Sequence, residues 1–162
     1  EKGKTQQIGD FTVTPFAVPH DSSDCVGYCV QCEGITFTLV TDCGHVTEEI
    51  CAFVAKANYL VIEANHEVEK LMAGPYPLYL KERITSQIGH LSNAECARTI
   101  VENATEHLKH VWLCHLSDEN NHPELARIAV TSLMESYGLR AGVDFIVEVL
   151  RRKIPSEIYD LK

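Results

Sequence analysis

The sequence has no apolar run approaching the roughly 18 residues that a transmembrane helix needs. Its 162 residues contain no internal repeat, no low-complexity segment and no linker rich in Pro, Gly or Ser. The first seven residues lack the basic start and apolar stretch of a secretory signal. These absences predict a single soluble, cytoplasmic domain over residues 1–162, since 45% hydrophobic residues suffice for one sizeable core.

Positive charge is also scarce. The chain has 14 Lys and Arg residues against 23 Asp and Glu residues, which gives a formal net charge of −9. A broad surface that binds nucleic acid without sequence preference is normally basic, so this composition argues against one. A local site for an anionic substrate remains compatible with it, because bound divalent metal ions supply positive charge that no residue count includes.

Cysteine is present, but in an odd number, seven, and several of these residues lie within apolar runs. We therefore expect reduced thiols rather than a disulfide framework. Two arrangements of cysteine suggest other chemistry: Cys25, Cys29 and Cys32 as a structural zinc site, and Cys114 with His115 as a nucleophile and its base. Residues an odd number apart on one strand face opposite sides of the sheet, which favours core or hairpin cysteines instead.

Hydrophobic periodicity predicts strands over 10–19, 27–32, 35–40, 59–62, 111–114 and 145–150. Helices are predicted over 48–57, 67–72, 77–86 and 123–137, with a further helix that begins at Ser92 or Asn93. A hairpin-rich start followed by strands that alternate with helices is typical of an α/β (α+β) fold, in which a mixed sheet is layered with helices.

Three predicted strands end on residues that bind metal ions: His20, Asp42 and His115. Strand ends lie along one rim of a sheet, so side chains far apart in sequence can converge there. Imidazole nitrogen and carboxylate oxygen suit Zn, Mn or Fe, and an aspartate can bridge two ions. A single His or Asp in such a place is usually a turn residue, but three together favour a metal site.

Five short segments carry a resemblance to a known family: residues 19–28, 41–44, 63–66, 89–93 and 114–121. In this order they resemble the later motifs of metallo-β-lactamase-fold phosphodiesterases and nucleases. They are most similar to the bacterial WalJ- and YycJ-like exonucleases, a branch related to the ribonuclease Z group. The resemblance covers roughly residues 8–150 and implies the C-terminal half of a four-layer αββα sandwich.

The resemblance also implies a role for each site residue. His20, Asp42 and His115 would be metal ligands. Asp42 would bridge two divalent ions, for which Zn is the first candidate and Mn the second. His90 would be catalytic and protonate the leaving oxygen. Glu63 would orient His90.

Other polar residues are weighed beside this set. Ser92 and Asn93 begin a helix, so their backbone donors are candidate substrate-binding groups for a phosphate oxygen. Lys81, Arg83 and Arg98 are candidate phosphate contacts, although solvated helix faces are the default expectation. The resemblance would allow His66 and His122 to approach the site, but each is expected to be an exposed loop residue.

The implied function is hydrolysis of phosphodiester bonds, in nucleic acid or another phosphodiester, by a hydroxide that two metal ions activate. An acyl metallohydrolase acting on a thioester or lactam, and a non-catalytic fragment or interaction module, are the alternatives. The family's His-x-His-x-Asp-His motif occurs nowhere in the chain. We therefore expect that the family's N-terminal half is missing from these residues, and that the 162 residues alone have little activity.

Overall fold

The computed structural model describes residues 2–162, which form seven strands and five helices. The strands are β1 (Gln6–Ile8), β2 (Phe11–Ala17), β3 (Val26–Cys32), β4 (Ile35–Val40), β5 (Tyr59–Glu63), β6 (His110–Cys114) and β7 (Ile146–Val149). The helices are α1 (Glu48–Ala55), α2 (Val68–Ala73), α3 (Leu78–Ile84), α4 (Asn93–Asn103) and α5 (Pro123–Ser136).

All seven strands belong to one mixed sheet, in which they lie side by side in chain order. Strands β1 to β4 pair antiparallel, as successive hairpins allow. Strands β4 to β7 pair parallel, so each connection between them crosses over through helices. The carboxyl ends of β4, β5 and β6 consequently lie at the same edge of the sheet. The predicted mixed α/β architecture is confirmed.

The core lies between one face of this sheet and helices α1, α4 and α5. Val40, Ile62 and Leu113 at the ends of the three central strands are fully buried, as are Ile100 of α4 and Val130 of α5. Burial of one such aliphatic side chain contributes about 1.5–3 kcal/mol. The strand ends that carry the polar site are therefore anchored in the best-packed part of the molecule.

The opposite face of the sheet is apolar but only partly covered. Phe37 and Leu39 of β4 and Val61 of β5 are half-buried. The C-terminal segment crosses part of this face, where the ring of Tyr159 packs edge-on against Trp112, 4.8 Å between centroids. The Tyr159 hydroxyl donates to Glu148 Oε2 at 2.7 Å, which ties the segment to β7.

The predicted elements are present within a few residues of their expected bounds, with one addition. Strand β1 was not predicted because its three residues are all exposed and contain one apolar side chain, which gives no alternation. It pairs with β2 through a two-residue turn at Gly9 and Asp10, where Gly9 has a φ of 59°. Positive φ values are accessible to glycine without steric cost, so this turn forms readily.

All seven cysteines are free thiols, as expected. Cys29 is buried, Cys25 and Cys32 are half-buried, and among residues 2–162 none of them belongs to a group of potential metal ligands. Across the same residues, none of the helices has the length and hydrophobicity of a membrane span.

Candidate metal centre

Parallel strand pairing brings three of the candidate residues together. Asp42 follows β4, Glu63 ends β5, and His115 follows β6, while β5 pairs with β6 in a register that sets Glu63 opposite Cys114. His90 comes from the loop before α4, and His20 from the segment after β2. The centre is therefore built from strand ends and short loops that the buried core holds in place.

Glu63 is the most deeply buried member, with 0% of its surface exposed. Its Oε1 accepts hydrogen bonds from Nδ1 of His90 at 2.6 Å and Nδ1 of His115 at 3.0 Å. Its Oε2 accepts one from the backbone N–H of Cys43 at 2.7 Å. Burial by itself raises the pKa of Glu63, but the hydrogen bonds from His115, His90 and Cys43 outweigh burial and lower the pKa.

These bonds fix the protonation pattern of the histidine rings. A carboxylate and a carbonyl oxygen only accept, so each ring nitrogen facing one must carry the proton. This applies to Nδ1 of His90 and His115, which face Glu63, and to Nδ1 of His20, which donates to Gly89 O at 2.9 Å. In each neutral ring Nε2 is then the nitrogen with a free lone pair. Metal-binding histidines characteristically show this arrangement.

Asp42 lies among the three rings. Its Oδ1 is 3.4 Å from His115 Nδ1, 3.8 Å from His20 Nε2 and 3.9 Å from His90 Nδ1. Asp42, Glu63, His90 and His115 each offer a potential ligand atom within 4.8 Å of the others, and no other such group of three or more occurs in residues 2–162. His20 lies outside that group but faces Asp42 from the opposing loop.

Two residues of the centre have strained backbones. Asp42 has a φ of 53° and His115 a φ of 54°, in the left-handed region that non-glycine residues seldom occupy. Such strain costs about 1–3 kcal/mol and persists only where surrounding contacts enforce it. Here Asn65 Nδ2 donates to His115 O at 2.9 Å, and the Cys43 N–H next to Asp42 donates to Glu63. The strained backbone conformations direct the side chains of Asp42 and His115 toward each other.

The loops that carry His20, Asp42 and His90 are bound directly to one another. Gly44 N–H donates to Pro19 O at 2.7 Å. A Cβ atom at Gly44 would lie 2.5 Å from the backbone of Ile88 and of Gly89, so only glycine permits this approach. The relative positions of these three residues are therefore set by backbone contacts as well as by side-chain bonds.

Sequence reasoning missed the buried polar support behind the centre. His66 is only 1% exposed, so its expected position in an exposed loop is wrong. Asn93 and Asn121 exchange two side-chain hydrogen bonds of 2.9 and 2.8 Å, and Asn121 also donates to Ala64 O at 2.8 Å. The polar residues that follow β5 gave no sign of burial in the sequence, because residues such as Asn93 and Asn121 form their hydrogen bonds only in the folded chain. His122 is exposed, as expected, at the N-cap of α5.

Ser92 and Asn93 are held by internal bonds. The Ser92 hydroxyl accepts from Glu95 N–H and the Glu95 side chain accepts from Ser92 N–H, which together form a capping box for α4. Asn93 N–H donates to His66 O at 2.9 Å, and both residues are almost fully buried. Contact with a phosphate, as expected from the sequence, would require these bonds to break. Their geometry supports a structural role.

The other candidate phosphate contacts either form hydrogen bonds within the protein or lie exposed on a helix. Lys81 Nζ donates to the backbone oxygens of Met72 and Gly74 at 2.6 and 2.8 Å. Arg83 forms a two-bond pair with Asp21, and Arg98 is exposed on α4. The geometry of these three side chains therefore does not support their assignment as phosphate contacts.

Cys114 is unsuited to act as a nucleophile beside His115. Burial, together with the Glu63 charge, raises the pKa of the Cys114 thiol to about 12, so the reactive thiolate is not formed at neutral pH. The alternative of a cysteine nucleophile therefore has no support in the structure.

Comparison with known proteins places this arrangement in a family. Residues 1–115 match the family described as a β-lactamase superfamily domain. The chain belongs to this superfamily. The expected resemblance to metallo-β-lactamase-fold proteins is thereby confirmed.

Two curated bacterial proteins of this superfamily are similar over most of the chain. Exodeoxyribonuclease YycJ of Bacillus anthracis is 35% identical over 156 residues, which cover 96% of this chain and 59% of that protein. Exodeoxyribonuclease WalJ of Streptococcus pneumoniae D39 is 39% identical over 147 residues, 91% of this chain and 55% of that protein. The chain thus spans little more than half the length of these relatives.

Solved structures agree on the fold. The metallo-β-lactamase-fold protein YhfI from Bacillus subtilis has a TM-score of 0.66 at 16% identity, over 93% of this chain and 51% of YhfI. Zn²⁺-bound PqqB from Methylobacterium extorquens has a TM-score of 0.59 at 18% identity, over 92% of this chain and 48% of PqqB. At these identities the similarity shows the shared superfamily fold.

The hydrogen bonds of Glu63 predict a specific pH dependence of stability in metal-free protein. The lowered pKa of Glu63 gives stabilisation that is full above its ordinary value of 4.5 and is lost as pH falls through the folded-state pKa. The hydrogen bond to Glu63 raises the pKa of His115 above the ordinary histidine value of 6.5. This raised pKa gives stabilisation that is full below pH 6.5 and is lost as pH rises through the folded-state pKa. Both contributions are therefore complete between pH 4.5 and 6.5.

Glu63→Gln should remove both contributions and leave a buried donor unpaired, at a cost of about 1–3 kcal/mol. Urea denaturation of chelator-treated protein from well below pH 4.5 to well above pH 6.5 should show, for the variant, a lower free energy of unfolding that depends less on pH. Glu135→Gln, at an exposed position of α5, is the matched control. A Glu63→Gln profile that parallels the unsubstituted protein would contradict the assignment.

Ser92→Ala should destabilise the protein by about 1 kcal/mol through loss of the helix cap. Metal content and any hydrolysis per folded molecule should stay unchanged, because the hydroxyl bonds only to its own helix. Thermal unfolding and metal analysis measure the two effects, with exposed Ser23→Ala as control. Unchanged stability with weakened substrate binding would contradict the capping role and would instead indicate that the Ser92 hydroxyl contacts substrate.

Proposed function

We propose that the protein containing these residues is a metal-dependent phosphodiesterase that acts on nucleic acid as an exonuclease. The observation that carries this proposal is the convergence of Asp42, His90 and His115 around Glu63 at the ends of the central strands, where each of the four residues offers a potential ligand atom within 4.8 Å of the others. Support also comes from relatives named exodeoxyribonucleases at 35% and 39% identity. Their names describe those proteins, so the activity is proposed for this one.

The donor set fits divalent metal ions. His20 and His115 hold their Nδ1 atoms in hydrogen bonds and so leave Nε2 for a metal ion, and Asp42 presents a carboxylate, the mixture of nitrogen and oxygen ligands that suits Zn or Mn. Glu63 is better suited to holding histidines than to binding an ion, because three donors already occupy its two oxygens. We propose His20, Asp42 and His115 as ligands of a site for two ions.

Two ions bound here would supply a water of lowered pKa and would polarise the phosphodiester. Asp42 would supply the carboxylate ligand of such a site, beside His20 and His115. Further ligands are proposed to come from protein outside these 162 residues, which would also cover the half-exposed sheet face at Phe37, Leu39 and Val61.

His90 is proposed as the general acid for the leaving oxygen. Its Nδ1 is held by Glu63 at 2.6 Å, so its Nε2 is the atom that can carry a proton to substrate. The Glu63 carboxylate stabilises the doubly protonated ring that this transfer requires. Because His90 shares Oε1 with His115, the proton donor and the proposed ligand are fixed relative to each other.

Asp42→Ala in the natural full-length protein should abolish bound metal, measured by elemental analysis, and hydrolysis of bis-p-nitrophenyl phosphate. Loss of the shared carboxylate removes a ligand that both ions need. Asp10→Ala, in the exposed turn between β1 and β2, should change neither quantity. Full metal content in the Asp42→Ala protein would overturn its assignment as a ligand, and hydrolysis of a thioester but of no phosphodiester would favour an acyl hydrolase.

His90→Ala should keep its metal and slow turnover by about 10²–10⁴-fold on DNA, where the leaving alkoxide needs a proton. The loss should be much smaller for bis-p-nitrophenyl phosphate, because p-nitrophenolate leaves without protonation. Exposed His107→Ala serves as control. Equal losses on both substrates would argue that His90 acts in binding or folding rather than in proton transfer.

A further inference from the structure

A cavity of about 530 Å³ opens beside the metal centre. Its lining includes His90 and His115 together with Tyr76, Arg151 and Arg152. A volume in this range accommodates a ligand of nucleotide size. Neither arginine belongs to the metal group, and the roles proposed so far for this site do not use them.

The two arginines supply local positive charge in an acidic chain. They follow β7 in the run Arg151-Arg152-Lys153, whereas the whole chain has a net charge of −9. Arg151 makes no ion pair or hydrogen bond with any residue among 2–162. Arg152 pairs with Asp118 at 3.2 Å, but both side chains are more than half exposed, 58% and 62%. An exposed pair of this kind contributes at most about 1 kcal/mol, so a phosphate can replace the carboxylate.

Arg152 lies beside the centre, because its side chain lines the same cavity as the proposed metal ligand His115. Arg83, in contrast, donates two hydrogen bonds to Asp21.

Tyr76 adds an aromatic surface to the same cavity. It lies between α2 and α3, is half-buried, and its hydroxyl makes no hydrogen bond within residues 2–162. Proteins that bind single strands combine cationic contacts to phosphates with aromatic rings on which bases stack, and each stack contributes about 1–3 kcal/mol. Arginine is well suited to the phosphate contacts because its planar fork bonds two oxygens at once.

Resting on the proposed phosphodiesterase function, we propose that this cavity holds the unpaired nucleotides next to the scissile phosphodiester. Arg151 and Arg152 bind backbone phosphates, and Tyr76 stacks on a base. The cavity then explains how a chain with few positive charges retains nucleic acid at its catalytic site.

The test compares Arg151→Gln/Arg152→Gln with unsubstituted full-length protein. Fluorescence anisotropy of chelator-treated protein with labelled oligothymidylate of about ten nucleotides should show affinity reduced by an order of magnitude or more. The slope of log affinity against log salt should become shallower by about 1.4, roughly 0.7 for each lost phosphate contact on a single strand.

Lys56→Gln/Arg140→Gln is the charge-matched control, since both residues are exposed and lie outside the cavity lining. It should leave the affinity and the salt slope near those of unsubstituted protein. Equal losses in the control and the cavity variant would overturn the proposal, because general charge would then explain the binding. An unchanged salt slope in the cavity variant would overturn it as well.

Tyr76→Leu and Tyr76→Phe separate stacking from charge. Leucine should weaken binding of the single strand without altering the salt slope, and phenylalanine should restore it. Equal binding by the Leu and Phe variants would overturn the stacking contact, as would tighter binding of duplex than of single strand. If unsubstituted protein hydrolyses neither DNA nor bis-p-nitrophenyl phosphate, the proposed function fails, while the anisotropy measurements still decide whether the cavity binds a strand.

Discussion

The carboxylate of Glu63 is the interaction on which the candidate centre depends. It lies at the end of β5 without solvent exposure and accepts hydrogen bonds from His90, His115 and the backbone of Cys43. A buried charge is costly unless its hydrogen bonds are complete, and here they are. The same bonds determine which nitrogen of each ring carries a proton, so one buried side chain orients both a proposed ligand and a proposed acid.

The fold makes this arrangement possible by placing three parallel strand ends side by side above a packed core. Asp42 and His115 depart from regular structure in the same way, each with a positive φ just beyond its strand. The contact between Gly44 and Gly89 then holds the loop of Asp42 against the loop of His90. The local strain is thus balanced by stable packing beneath it, which is the usual physical condition for a strained functional site.

The sequence predicted the mixed sheet, because alternation, strand ends and helix caps are local features, whereas His90 and Glu63 were implied only by the family resemblance. His20, Asp42 and His115 could be chosen from their positions at strand ends, and their roles as ligands remain predictions. The burial of His66 and the mutual bonding of Asn93 with Asn121 could not be foreseen, since each polar group finds its partner only through tertiary contacts. The hydrogen-bond partners of Lys81 and Arg83 could not be foreseen for the same reason, because those partners lie on separate segments of the chain.

His20 and His115 are proposed to donate through Nδ1 and to offer Nε2 to metal, and ¹⁵N NMR of the imidazole rings measures this most directly. In metal-free full-length protein at neutral pH, His20, the ring that bonds to Gly89, should show the Nδ1–H tautomer. Addition of Zn²⁺ should shift the Nε2 resonances of His20 and His115 and leave their Nδ1 atoms protonated. An Nε2–H tautomer of His20 in metal-free protein, or Nε2 resonances of His20 and His115 that Zn²⁺ does not move, would contradict this assignment.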